Sequence, residues 1–221
     1  MNKSVIVGSA AVILVGAFVI ATNLYKGQQA EKVSQVAASD TDSPFNRLDA
    51  PMIGTIMAKV EIVEFFDPAC ESCRAFYPHV KAVLNAHKNQ VRLSLRYAAF
   101  HKGSDYVVKI LEAARMQGPD IYIATLEAVL EGQPVWADHG RPNPELVWTM
   151  LGNTGLDIER ARKDMNDPKI LARLKQDEAD IVKLDVRRTP TLFINGKLLR
   201  EFSPDGLASQ VASEIRLAYK R

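Results

Sequence analysis

The chain of 221 residues has two cysteines, Cys70 and Cys73, and only two residues separate them. The stretch before them, residues 58–66, is rich in branched and aromatic side chains and predicts a buried strand. The stretch that follows, about 70–88, places its apolar side chains on one side of a helix. A cysteine pair at the passage from a buried strand into a helix restricts the possible folds more than any other feature of this sequence.

Three roles are possible for such a pair. A structural disulfide between neighbours this close would close a very short loop and add little stability. A structural zinc site needs four ligands, but the sequence has one cysteine pair and four histidines, none of which is spaced H-x3–5-H from another. Copper carriers can use two thiolates, so a metallochaperone or another non-catalytic binding module stays an alternative. A redox pair is the interpretation that explains both the spacing of the cysteines and their place between a strand and a helix.

The predicted helix start explains how the two cysteines would differ. Unpaired backbone amides and the positive end of the helix dipole stabilise a thiolate at Cys70, and the thiolate is the reactive form. Cys73 lies one turn into the helix and should be more buried. Such spacing lets the second thiol resolve a mixed disulfide formed at the first. The pattern therefore predicts attack through Cys70 and release through Cys73.

The rest of the chain predicts strands at both ends of a block of helices. Residues 91–100 alternate and predict a second strand. The region of about 103–185 contains only helical patterns, at about 104–117, 119–131, 143–152, 157–166 and 167–185. The apolar run 189–196 ends in Asn195-Gly196, a strong hairpin signal. Ser203 or Asp205 would cap a last helix that ends near Tyr219.

The N-terminal region predicts a membrane anchor. Residues 4–25 contain no charged side chain and are long enough to cross a bilayer, so residues 1–25 are predicted to be a transmembrane signal anchor. Cleavage after Ala21 is the alternative. Residues 26–52 are polar and predict a linker, and residues 53–221 predict the domain that it carries across the membrane. The net charge of +2 gives no indication of a nucleic-acid surface.

Two segments carry a family resemblance. Residues 64–73, EFFDPACESC, and 188–197, RTPTLFINGK, resemble the DsbA-like thiol-disulfide oxidoreductases of the thioredoxin superfamily. The resemblance implies an α/β thioredoxin fold with an inserted helical subdomain at about 103–185, here preceded by the predicted transmembrane helix.

The resemblance also assigns roles to individual residues. Cys70 matches the nucleophile of the family, and Cys73 matches its resolving cysteine. Pro190 matches a cis-proline that faces the cysteines, and Thr189 before it would bind the substrate chain through its backbone. Glu64 matches an acidic residue beneath the cysteine pair that helps proton transfer, and a carboxylate exposed to water at the end of the strand is the alternative. No metal and no organic cofactor is implied.

The two residues between the cysteines depart from the strong oxidants of the family, which have Pro-His there. Glu71 and Ser72 are expected to tune the pair, and the Glu71 carboxylate disfavours a second negative charge on Cys70. A less stable thiolate implies a weaker oxidant. Thr189 is also more similar to the isomerase-type members.

The resemblance and the anchor together imply a location and partners. We expect a single-pass protein of the inner (cytoplasmic) membrane whose catalytic domain faces the periplasm or exterior and exchanges disulfides with cysteine-containing client proteins. An oxidase would be recycled by a DsbB-like membrane partner. The alternative is a reductase or isomerase that a DsbD-type donor keeps reduced.

Overall fold

The computed structural model describes residues 43–220 and, before them, residues 18, 20–22 and 24, which are helical. Most of the predicted anchor, 1–25, and of the predicted linker, 26–52, therefore lies outside the described residues. Within the described part, no helix combines the length and the apolar character needed to cross a bilayer.

The described chain forms one mixed sheet in the order β1-β3-β2-β4-β5. The central strands β2 and β3 run parallel, whereas β1 pairs antiparallel with β3, β4 with β2, and β5 with β4. Since parallel strands need a crossover between them, the helix after the cysteines fills that role. The strands are β1 Met52–Ile53, β2 Val60–Phe66, β3 Val91–Tyr97, β4 Thr191–Ile194 and β5 Lys197–Leu198.

Helices cover the sheet and form the insert between β3 and β4. Helix α1 connects β2 to β3, helix α7 follows β5, and helices α2 to α6 span the insert that was predicted at about 103–185. The helices are α1 Glu71–Ala86, α2 Ser104–Arg115, α3 Pro119–Trp136, α4 Val147–Met150, α5 Ile158–Asp164, α6 Pro168–Lys183 and α7 Pro204–Ala218. A 3-10 turn, Pro144–Leu146, precedes α4.

Two helices of the insert differ from the prediction. The helix predicted at about 119–131 continues to Trp136, because the Trp136 ring is fully buried and its indole N–H donates to the Val129 carbonyl at 2.9 Å. The helix predicted at 143–152 is only the 3-10 turn and the single turn of α4, and residues 152–155 then form a turn in which Thr154 donates to the Leu151 carbonyl.

Strand β2 has two buried faces. Val60, Ile62 and Phe66 belong to the large core shared with α1 and α7. Val63 and Phe65 point to the opposite face, where they form a smaller cluster. By this alternation Glu64 belongs to the same face as Ile62, beneath α1.

Residues 43–51, predicted as the end of the linker, pack against the domain. The Phe45 ring contacts Phe193 edge-on at 5.1 Å, and the Arg47 guanidinium donates to both carboxylate oxygens of Asp180 at 2.8 and 2.9 Å. Strand β1 then begins at Met52 rather than after it. The folded part of the chain thus extends into the predicted linker, because a ring contact and a buried ion pair hold this segment in place.

The hairpin between β4 and β5 follows its sequence signal. Asn195 and Gly196 have φ angles of 47° and 75°, which is the left-handed geometry of a type I′ turn. Ser203, rather than Asp205, caps α7 by accepting a hydrogen bond from the Gly206 amide at 2.9 Å.

Candidate active site

Cys70 is the N-cap of helix α1, directly after the loop that leaves β2. Its backbone is extended, and it makes no capping bond with its side chain, so the first amides of the helix remain available to the thiol. Only 6% of Cys70 is exposed, and Cys73 is fully buried one turn further along. Both are free thiols in this structure.

The surroundings of Cys70 favour its thiolate. A hydrogen bond from the Cys73 thiol is the main cause that lowers the pKa of Cys70 to about 5. Thr189 and the backbone N–H groups of Cys73 and Ser72 add to this effect, and together they outweigh burial, which acts in the opposite direction. At neutral pH the Cys70 sulfur is therefore an anion and a nucleophile.

Cys73 has the opposite character. Burial raises the pKa of the Cys73 thiol far above its usual range, and the nearby Glu64 and Cys70 add to the increase. The one backbone amide directed at its sulfur, that of Asp67, lies 3.5 Å away. Of the two sulfurs, only Cys70 is thus ready to react, while Cys73 stays protonated beneath it.

Glu64 lies in the middle of β2, in register with Leu95 of β3 and Leu192 of β4. It is fully buried, and neither carboxylate oxygen has a hydrogen-bond partner among the described residues. Burial, and next the negative charge of Cys70, raise the pKa of Glu64 to about 8. The group is a neutral acid at pH 7, in electrostatic contact with both cysteines.

The loop before β4 faces the cysteine pair. The Thr189-Pro190 peptide bond is cis, and the Cys70 sulfur lies 3.3 Å from the Thr189 carbonyl oxygen, to which it donates when it is protonated. A cavity of about 530 Å³ adjoins this loop, and its lining includes Ser72, Thr189, Pro190 and the half-exposed Phe202. The two sequence segments that carried the family resemblance therefore meet around one sulfur.

The residues between the cysteines act differently from each other. The Glu71 side chain is 68% exposed, and its carboxylate lies 3.3 Å from the Nε2 atom of His139. The thiolate of Cys70 is favoured in spite of this carboxylate, because the hydrogen bonds that stabilise it come from Cys73 and the backbone. Ser72 contributes through its backbone amide, while its side chain is exposed.

Asp67 organises the loop around Cys70, a role that the sequence did not reveal. Its buried carboxylate accepts hydrogen bonds from the amides of Ala69 and Phe100, both at 2.8 Å, and from the Ser104 hydroxyl. It also binds the Nδ1 atom of His101 at 2.7 Å. The segment after β3 is thereby fixed beside the cysteines.

Gln133 of α3 supports the same loop from the insert. Its side-chain amide donates to the carbonyls of Pro68 and Cys70 at 2.7 and 3.0 Å, and its oxygen accepts from Arg74 at 3.0 Å. Gln133 is almost fully buried on the mostly apolar inner face of α3. In the sequence, only the presence of a polar residue on this face of the helix indicated a role for Gln133.

In the described part of the chain, no group of three or more His, Cys, Asp or Glu side chains is arranged to hold a metal ion. Among these side chains of the described residues, only the two thiols are placed to bind a metal at the cysteine pair. Deprotonation of Cys73, which is disfavoured here, would be required for that.

Comparison with known proteins agrees with this geometry. Residues 47–212 match the family model described as Thioredoxin. "Disulfide bond formation protein D" of Bacillus subtilis is 25% identical over 173 residues, which cover 75% of this chain and 77% of the relative. The crystal structure of a thioredoxin-like oxidoreductase from Silicibacter pomeroyi is 30% identical with a TM-score of 0.68, covering 81% of this chain and 99% of the other.

A more distant structure shows the same fold. The thiol-disulfide exchange protein α-DsbA2 of Wolbachia pipientis is 21% identical, with a TM-score of 0.72 over 86% of this chain and 98% of its own. The family match covers both β2 with the cysteine pair and the hairpin after Pro190, and the helical insert lies between them. The chain therefore belongs to the thioredoxin family, and within it to the DsbA-like thiol-disulfide oxidoreductases.

Proposed function

We propose that this protein is a disulfide donor, which passes the Cys70–Cys73 disulfide to pairs of thiols in client proteins. The observation that carries the proposal is the position of the Cys70 sulfur at the N-cap of α1, beside Cys73, Thr189 and the first amides of the helix, which lower its pKa to about 5. A stabilised thiolate stabilises the reduced form and is a good leaving group, so the disulfide of such a pair is readily given away.

The transfer proceeds in two exchanges. A client thiolate attacks the Cys70 sulfur of the disulfide, the bond to Cys73 breaks, and Cys73 leaves with the electron pair. Glu64, which is protonated at neutral pH, is the group that can supply a proton to Cys73. A second client thiolate then attacks the client sulfur of the mixed disulfide, and Cys70 leaves as a thiolate. The client loses two electrons, and the cysteine pair gains them.

Client binding is proposed at Thr189 and Pro190. The Thr189 carbonyl lies 3.3 Å from the Cys70 sulfur, and the adjoining cavity of about 530 Å³ is open to an extended segment. A client backbone that pairs with this loop as an added strand would bring its cysteine to Cys70. Main-chain bonding of this kind suits an enzyme that acts on many sequences.

We further propose that the domain acts outside the cytoplasm, anchored in the inner membrane through residues 1–25. The uncharged stretch 4–25 supports the anchor. A DsbB-like membrane protein would reoxidise the cysteine pair, and the cycle needs no metal or organic cofactor. A reductase or isomerase with a DsbD-type donor is the alternative, and the two directions differ in the reduction potential that they require.

Trapping tests the assignment of the two cysteines. Full-length protein carrying Cys73→Ser, given a client peptide that contains a disulfide, should accumulate a mixed disulfide at Cys70, because Cys70 displaces one peptide thiol and no resolving thiol is left to release the other. Cys70→Ser should abolish both the mixed disulfide and the oxidation of a reduced peptide dithiol. If Cys70→Ser oxidised the peptide as fast as the wild type, the proposal would be wrong.

A further inference from the structure

The peptide unit that joins Phe66 to Asp67 directs its N–H group at the sulfur of Cys73. The Asp67 nitrogen lies 3.5 Å from that sulfur, and the contact is longer than an N–H···O bond because sulfur is the larger atom. The carbonyl of the same peptide unit, that of Phe66, accepts a hydrogen bond from the Ala98 amide at 2.8 Å. Since hydrogen bonds in a chain polarise one another, the bond to this carbonyl makes the N–H group a stronger donor.

The side chain of Asp67 holds this peptide unit in its orientation. The carboxylate is fully buried and accepts hydrogen bonds from the backbone amides of Ala69 and Phe100 at 2.8 Å and of His101 at 2.9 Å. It also accepts a hydrogen bond from the Ser104 hydroxyl. A rotation of the peptide unit would pull the carboxylate away from several of these donors, and leaving buried donors unpaired is costly. The N–H group is therefore preorganised toward the sulfur.

Cys73 is the sulfur on which charge develops in the proposed reaction. When a client thiolate attacks Cys70, the bond between the two cysteines breaks and its electron pair stays on Cys73. This side chain is fully buried, so bulk solvent does not stabilise the developing anion, and a donor fixed in the protein has to do so.

We propose that the N–H group of Asp67 is a catalytic donor for the leaving Cys73 sulfur, and that the Asp67 carboxylate is the positioning group that aims it. The inference rests on the proposed function and deepens it. The arrangement corresponds to an oxyanion hole, in which a fixed donor acts where negative charge appears and acts strongly because the site is buried.

The exchange is balanced in electrons and protons. The client sulfur forms a bond to Cys70, the Cys70–Cys73 bond breaks, and Cys73 carries the electron pair as an anion that accepts the Asp67 N–H. Glu64 then transfers its proton to Cys73 and is left as a carboxylate, which regains a proton from solvent. In the reverse exchange the same amide stabilises the Cys73 sulfur as it attacks the mixed disulfide. Because Cys73 is neutral both as a thiol and in the disulfide, the donor should speed both directions without moving the equilibrium.

The exchange of one backbone atom tests the donor directly. Full-length protein in which Asp67 is replaced by its α-hydroxy acid analogue, malic acid, has an ester oxygen in place of the N–H group and keeps the carboxylate. The oxidised protein is mixed with excess reduced glutathione, and acid quenching followed by thiol labelling gives the rate at which the disulfide opens. We expect this rate to fall about 10- to 100-fold, since sulfur is a weaker acceptor than the oxygen of an oxyanion hole. The equilibrium constant with glutathione should stay within about twofold of the wild-type value.

The matched control carries the same type of exchange at Val60, a buried residue at the start of β2. Its N–H group donates to the Gln90 carbonyl at 3.1 Å instead of to a sulfur. This control also loses one backbone hydrogen bond, and its disulfide should open at the wild-type rate. Equal slowing in both ester proteins, or a wild-type rate in the Asp67 ester protein, would overturn the inference. A shift of the equilibrium as large as the change in rate would overturn it as well, since it would indicate damage to the fold.

A conventional variant, Asp67→Asn, tests the positioning group. An asparagine amide cannot accept hydrogen bonds with both of its terminal atoms, so the N–H group is aimed less firmly and opening of the disulfide should slow about three- to tenfold. Alkylation of Cys70 in the reduced protein should keep its wild-type rate, because Cys73 does not leave in that reaction. Asp105→Asn, in the exposed first turn of α2, is the control and should behave as the wild type in both assays. A wild-type rate of opening, or alkylation slowed as much as opening, would refute the positioning role.

The proposed function and this inference fail separately. A reduction potential near that of thioredoxin would refute disulfide donation, but Cys73 would still leave beside the same amide, and slow opening in the Asp67 ester protein would stand. A potential near that of the strong oxidants, together with an unchanged rate in the ester protein, would refute only the inference.

Discussion

Glu64→Gln should change how the stability of the protein depends on pH. Glu64 is buried without a hydrogen-bond partner among the described residues, and its pKa is about 8 instead of 4.5. Between these two values the unfolded chain ionises the group while the folded protein keeps it protonated. The wild type therefore loses stability as pH rises from 4.5 to 8, by about 1.4 kcal/mol per pH unit and roughly 3 kcal/mol by pH 7. Glutamine has nearly the same shape and no ionisation.

The assay is urea unfolding of the reduced full-length wild type and variant at pH 5, 6, 7 and 8. The stability of Glu64→Gln relative to the wild type should increase by about 1.4 kcal/mol per pH unit and level off above pH 8. Glu178→Gln on the exposed side of α6 is the matched control and should give a flat difference. Parallel pH profiles for the wild type and Glu64→Gln would refute the reasoning, since they would show a carboxylate that ionises freely in the folded state.

Three further predictions concern the cysteine pair and its support. Iodoacetamide should alkylate Cys70 with half-maximal rate near pH 5, and a midpoint above pH 8 would contradict the assigned thiolate. Gln133→Ala leaves two buried carbonyls of the active-site loop without a donor and should lower the free energy of unfolding by about 1–3 kcal/mol in urea titrations; no loss would mean that water replaces the amide. Arg96→Met leaves the buried carboxylates of Asp177 and Asp180 with fewer partners and should destabilise the protein by about 3–5 kcal/mol, whereas an unchanged urea midpoint would show that the remaining arginines compensate.

Local patterns were enough to predict most of the architecture. Side-chain periodicity, which acts over a few residues, predicted the strands at 58–66 and 91–100 and the block of helices that follows the second strand. Turn chemistry predicted the hairpin at Asn195-Gly196. The end of α3 was missed because tertiary burial of Trp136 extends the helix past Gly132 and Pro134. The packing of Phe45 on Phe193 was missed because a polar segment gives no sign of its distant partner.

The sequence predicted only those site residues that belong to a short local motif. Cys70 and Cys73 are revealed by their spacing, and Thr189 and Pro190 by the family resemblance. Asp67, His101 and Gln133 gave no such signal, because their roles depend on contacts between residues 33 to 65 positions apart. The expected weakening of the thiolate by Glu71 also depended on geometry, since the carboxylate is directed toward His139.

The reduction potential of the Cys70–Cys73 pair tests the central claim most directly. Full-length protein equilibrated with glutathione buffers at pH 7 should give a value near that of the strong oxidants, about −120 mV, because the Cys70 thiolate stabilises the reduced form. A value near that of thioredoxin, about −270 mV, would contradict disulfide donation and assign the protein to the reductases instead.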